Sequence, residues 1–175
     1  MAGNNITVDI FTESSKWDSV NLSCSLQDLF EKCIRAVVEH PDTPTLPSNL
    51  TVSVLLTNDE HIKLLNNNYR KKNKPTNILS FPQQDSLENL KEIPYSLPMG
   101  DLALSISTIQ REACEQQKIL EHHLCHLIVH GMLHLLGYDH AEEDEAEVME
   151  ALECSILDPM GIKNPYIIVE KDTSS

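Results

Sequence analysis

The chain has 175 residues, about the size of one typical domain, and 41% hydrophobic with 23% charged residues is the composition of an ordinary globular protein. Lysine and arginine number 13 against 27 acidic residues, a net charge of −14, which argues against non-specific wrapping of DNA or of an anionic membrane surface and makes any nucleic-acid contact a local one. The N-terminal MAGNNITVDIF lacks a basic region followed by an apolar run, and no apolar stretch has the length of a membrane span, so a cytoplasmic protein is expected.

Alternation in ITVDIFT (6–12) predicts a first strand with Ile6, Val8 and Ile10 on one face. From Leu22 to His40 apolar residues recur every three and four positions, the period of an amphipathic helix, and Pro41, Pro44 and Pro47 stop it. LTVSVLL (50–56) reads as a second strand, and Thr57 with Glu60 forms a capping box for a short helix through Tyr69. NILSF (77–81) and DLALSIS (101–107) are two further strands, joined by a loop with Pro82, Pro94 and Pro98 that is long enough to wall a cleft. Ser107 and Gln110 repeat the capping pattern, an apolar helix runs from Ile119 to Leu136 with Gly137 ending it, and a last helix covers Glu142 to Leu157. Strands early and helices late give an α+β fold: one domain over 1–175, a single small mixed sheet of about four strands with helices packed on it. The five cysteines form an odd set with no C-x-x-C pair, so reduced, partly buried thiols are expected rather than a disulfide framework.

Six of the eight histidines fall between residues 122 and 140, and HGMLHLLGYDH places His130, His134 and His140 in the pattern H-x3-H-x5-H. Imidazoles four residues apart lie about 6 Å apart on one helix face and can share a metal ion. Gly137 lets the chain reverse, so that His140 returns to the same point. Three neutral nitrogens leave a fourth tetrahedral position open, the catalytic rather than the structural form of a zinc site. The competing reading is a histidine-rich helix whose rings are satisfied by hydrogen bonds in a polar groove. His126 lies on the same stripe one turn earlier and is expected to border the cleft or support a ligand; His122 and His123 are expected in solvent. Asp139 either orients a ligand ring or caps a turn.

The spacing matches the zinc-protease pattern H-E-x-x-H-x-x-G-x-x-H, except that Gly131 stands where the general-base glutamate belongs. Peptide hydrolysis therefore lacks its usual proton acceptor. Against the overall acidity, Arg70, Lys71, Lys72 and Lys74 crowd into five positions of YRKKNKPTN. Beside an open metal site such a loop suits a phosphodiester, with Arg70 clamping a phosphate oxygen. The seven carboxylates of EEDEAEVMEALE (142–153) read as the solvent face of the last helix, where they would repel RNA.

Taken together, HGMLHLLGYDH, NNNYRKKNKPTNILSFP (66–82), MGDLALS (99–105) and DEAEVMEALE followed by GIKNPY resemble the YbeY family of metal-dependent endoribonucleases, over roughly residues 50–166. The resemblance implies one zinc ion at His130, His134 and His140, and a required arginine at Arg70. It also implies cleavage of single-stranded RNA in maturation of the 16S rRNA 3′ end, and partnership with the small ribosomal subunit in its quality control. His130 and Arg70 are then the catalytic candidates. Asn77 stands where the family usually has an aspartate; if that carboxylate positions water or metal, activity is reduced or Asp101 takes the role. Two other readings stay open: a non-catalytic ribosome-assembly factor with a structural zinc, and a zinc peptidase.

Overall fold

Side-chain alternation decides the two faces of the sheet. In the computed structural model, which describes residues 4–84, 87 and 96–167, strand β1 (Asn5–Thr12) runs parallel to β2 (Asn49–Thr57), β2 runs parallel to β4 (Leu97–Ser105), and β3 (Ile78–Pro82) closes the order β1-β2-β4-β3 antiparallel to β4. Ile6, Val8, Leu50, Val52, Val54, Leu56, Leu102 and Leu104 point to one face and are buried there. The fold is α+β with a mixed sheet of four strands, as the sequence pattern predicts.

Helix α1 (Leu26–Val38) and helix α4 (Leu120–Leu135) cover that face, α1 through Leu29, Phe30, Cys33, Ile34 and Val37. Helix α2 (Asp59–Arg70) lies on the opposite face, where Ile62 packs with Leu79 and Ala103. Helices α3 (Ile106–Glu115) and α5 (Glu143–Leu157) pack against α4, which is thereby enclosed and apolar on most of its surface. Helix α4 also approaches β3 and β4 at Gly131: a Cβ there would lie 2.6 Å from Ile78 Cδ1 and 3.0 Å from Leu102 Cδ2. The glycine lets the helix sit close to the sheet. Any larger side chain in its place would have to displace Ile78 and Leu102.

Three local expectations are corrected. Asn58, not Thr57, caps α2, accepting from the His61 N–H at 2.9 Å, because the Thr57 hydroxyl is committed to Glu13 Oε2 at 2.8 Å. Helix α3 begins at Ile106 rather than after Ser107, and Ser105 donates its hydroxyl to Asp59 Oδ1 at 2.6 Å instead of capping the helix. The chain between Leu22 and Ser25 precedes α1, whose cap is Ser25 accepting from Asp28 N–H at 3.0 Å. A 3-10 helix over Ser15–Ser19, not foreseen, buries Trp17, whose indole N–H donates to the Thr57 carbonyl at 3.0 Å. Of the proline-bearing loop, Pro98 belongs to β4 and Pro82 to β3, while Pro94 lies outside the described residues. All five cysteines are free, with Cys33 and Cys125 buried and Cys114 exposed. Among the described residues no helix is long and apolar enough to cross a membrane.

Candidate metal centre

Helix α4 carries His123, His126, His130 and His134 at intervals of three and four residues, one stripe along its length. The helix ends in a Schellman turn: Gly137, at φ +98°, donates to the His134 carbonyl at 3.0 Å, and Tyr138 N–H donates to the Leu133 carbonyl at 3.0 Å. This reversal does two things. It turns the Tyr138 carbonyl toward His134, and it carries His140 back over the stripe, with ring centroids 5.4 Å from His130 and 5.1 Å from His134. One nitrogen from each of the three rings lies within 4.8 Å of the others.

The hydrogen bonds set which nitrogens face the centre. His134 Nδ1 lies 2.9 Å from the Tyr138 carbonyl, which only accepts, so Nδ1 carries the proton and Nε2 a lone pair. His130 Nδ1 donates to Glu153 Oε1 at 2.7 Å, which in the neutral ring leaves Nε2 a lone pair as well. These two Nε2 atoms are 3.0 Å apart. Two lone pairs at that distance repel unless they share a cation, which is the donor set that zinc and related ions take. Burial, with the His130 and His140 rings beside it, pushes His134 down to about 4 and keeps it neutral at pH 7, as a metal ligand must be.

Glu153 is the residue that sequence reasoning missed. Expected on the solvent face of the last helix, it is 0% exposed, while the other six carboxylates of the run are exposed. Its Oε1 takes His130 Nδ1, and its Oε2 takes His126 Nε2 at 2.6 Å and the Tyr166 hydroxyl at 2.5 Å. Burial alone would raise this carboxyl, but the bonds from His126, His130 and Tyr166 outweigh it and hold it at about 2. A signal was present: Met149, Leu152, Ile156 and Leu157 are buried on α5, and Glu153 sits on that stripe. His126, His130 and Glu153 are also close enough for a metal, yet three donors already occupy the carboxylate, so the three-histidine set fits a cation better.

The remaining expected residues divide. His126 supports the centre through Glu153, as its place on the stripe predicts. His123 is not in solvent: it is 4% exposed and bonds Glu112 Oε1 through Nε2 at 3.0 Å, because α3 packs on its side of α4. His122 is half-buried. Asp139 takes the turn role, accepting from His140 N–H at 2.7 Å. Arg70, exposed in the last turn of α2, lines a cavity of about 420 Å³ together with Asn77, Ser80, His130, His134 and His140. Lys71, Lys72 and Lys74 are exposed and do not line it. Lys71 adopts a left-handed conformation at φ 58° that ends the helix.

Asn77 lines the same cavity, with its amide donating to both Glu112 oxygens at 3.0 and 3.2 Å. A carboxylate at 77 would meet Glu112 with like charge, so the amide suits the neighbour it has. Asp101 does not substitute for it. Its neighbours Gly100 and Leu102 face α4, so Asp101 points to the other side of the sheet, beside Phe11 and Phe81.

The "Endoribonuclease YbeY" family model matches residues 13–161. A protein named Endoribonuclease YbeY from Chelativorans sp. (strain BNC1) is 43% identical over 162 residues, 91% of this chain and 93% of its own length. One of the same name from Magnetococcus marinus is 50% identical over 123 residues, 67% of this chain and 84% of its own. The solution structure of TM1509 from Thermotoga maritima shares the fold, with a TM-score of 0.53 at 22% identity, over 97% of this chain and 99% of that one. With the histidine turn built as that family's pattern implies, and relatives of this identity along most of the sequence, the chain belongs to the YbeY endoribonuclease family.

Proposed function

We propose that the chain is a zinc-dependent endoribonuclease that cleaves single-stranded RNA, acting in the cytoplasm on the 16S rRNA precursor at the small ribosomal subunit, in 3′-end maturation and in quality control. The observation that carries this reading is the convergence of the Nε2 atoms of His130 and His134, 3.0 Å apart, with a nitrogen of His140 within 4.8 Å, in a cavity rimmed by Arg70. Family membership supports RNA as substrate. Zinc held there supplies Lewis-acid activation of water and of a phosphoryl oxygen. The chain's own residues do the rest. His130, His134 and His140 each turn a ring nitrogen toward the common centre; Glu153 and the Tyr138 carbonyl hold the first two rings by their Nδ1 protons. Arg70 pairs with the phosphate and offsets the charge that accumulates on its oxygens as the bond to the attacking group forms.

The peptidase reading is disfavoured by Gly131. A Cβ there would meet Ile78 Cδ1 at 2.6 Å, Leu102 Cδ2 at 3.0 Å and Ser80 Oγ at 3.2 Å, so the position holds no carboxylate and a glutamate would have to displace those side chains. The test is incubation of the purified, zinc-loaded chain with a labelled single-stranded fragment from the 3′ end of a 16S precursor, beside His130→Ala and Arg70→Glu. Loss of cleavage in both variants supports the assignment. Cleavage that persists equally in both identifies a contaminant and removes the enzyme reading in favour of a non-catalytic assembly factor. A 2′,3′-cyclic end on the product identifies attack by the ribose 2′-hydroxyl; its absence identifies attack by water.

A further inference from the structure

On the far side of His130 from Arg70 lies a second, larger cavity of about 650 Å³, and the two share Asn77 and His130 in their walls. Its volume is within the range that takes a nucleotide-sized ligand. Tyr166 stands in its wall, from the GIKNPY segment beyond α5. Its hydroxyl is anchored to the buried Glu153, its ring meets His126 edge-on at a centroid distance of 5.4 Å and 83° between planes, and the residue remains 41% exposed. A ring fixed at its polar end and open along its side is a platform that has already lost its rotational freedom, which is what base stacking requires. The polar groups of Asn77, Glu112, Gln117 and Lys118 line the same space and can meet the edge of a flat heterocycle.

Resting on the endoribonuclease reading, we infer that this cavity is a nucleobase subsite in which the base of a nucleotide next to the cleaved phosphodiester stacks on Tyr166. The phosphate then lies at the metal centre under Arg70 and the adjoining base turns past His130 into the cavity, as the shared wall allows. A single-stranded substrate follows, since a base paired in a helix cannot leave its stack at low cost. Stacking tolerates any base, so the subsite fixes the strand's position more than its sequence.

The test uses the full-length, zinc-loaded protein and a set of single-stranded ten-nucleotide RNAs, each with one abasic ribonucleotide at a successive position. Cleavage is followed by gel and binding by fluorescence anisotropy. For the wild type, one abasic position at a constant offset from the cut should lower kcat/KM and affinity by roughly five- to a hundred-fold. Tyr166→Ala should lower both on intact RNA by a similar factor and make the abasic position no worse, while Tyr166→Phe, which keeps the ring but loses its anchor on Glu153, should lose less than Tyr166→Ala and remain sensitive to the same abasic position. Zinc content equal to that of the wild type shows that Tyr166→Ala acts at the base and not through Glu153. Cleavage and binding indifferent to every abasic position overturn the subsite and leave the nuclease standing. Base-dependent binding without cleavage does the reverse.

Discussion

Nδ1 of His130 on α4 donates to the carboxylate of Glu153 on α5 at 2.7 Å, across 23 residues of sequence. This bond ties one ring of the three-histidine cluster to a second helix, and the same carboxylate holds His126 and Tyr166. The candidate metal centre is therefore supported by the packing of α5 on α4 and not by the histidine helix alone.

Glu153→Gln keeps the shape but removes the charge, and an amide offers one acceptor oxygen for three donors. Zinc affinity, measured by competition with a chromophoric chelator, should fall about ten- to a hundred-fold. Unchanged affinity would mean that the ring of His130 is oriented by the helix alone.

Gly131→Glu restores the zinc-protease motif in letters but not in space. The new side chain would be driven between Ile78 and Leu102 with a charge in the core. A loss of more than about 3 kcal/mol in urea unfolding is expected, and no peptidase activity on casein. A stable, proteolytic variant would contradict the close approach of α4 to the sheet.

Arg70 is exposed and borders the cavity without bonding any of the three histidines. Arg70→Ala should weaken RNA binding and reduce the slope of log affinity against log salt by about one, with zinc content unchanged. An unaltered salt slope would remove Arg70 from the phosphate.

Asp59, in the first turn of α2, accepts from Ser105 at 2.6 Å and Thr108 at 2.7 Å and faces Arg111 at 3.6 Å. Burial raises its carboxyl, but those hydroxyls and the guanidinium more than offset this and leave it below the usual aspartate range. A carboxylate lowered on folding adds stability that is present above its unfolded value, near 4, and is lost as pH falls through the folded one. Asp59→Asn should therefore cost on the order of 1 kcal/mol at pH 7 and progressively less below pH 4. The check is urea unfolding of both proteins at several pH values; a difference that is constant with pH would show that the charge is not what matters.

Much of the sheet was legible because alternation is a local property: Ile6, Val8, Leu50, Val52 and Val54 sit on the face that their order predicts. Helix caps were not. Thr57 carries the right hydroxyl, but Glu13, distant in sequence, claims it, and Ser107, expected to cap α3, lies inside a helix that already begins at Ile106.

The same division runs through the site. His130, His134 and His140 meet because a helical turn and a glycine turn set their relation within eleven residues, so the spacing H-x3-H-x5-H already implies the geometry. What surrounds them came from elsewhere: Glu153 from α5, Arg70 from the end of α2, Asn77 from the approach to β3 and Tyr166 from beyond α5. A glutamate in an acidic run looks alike whether it ends in water or under a helix. Only the packing of one helix on another takes its water away and leaves two imidazoles and a phenol to satisfy it.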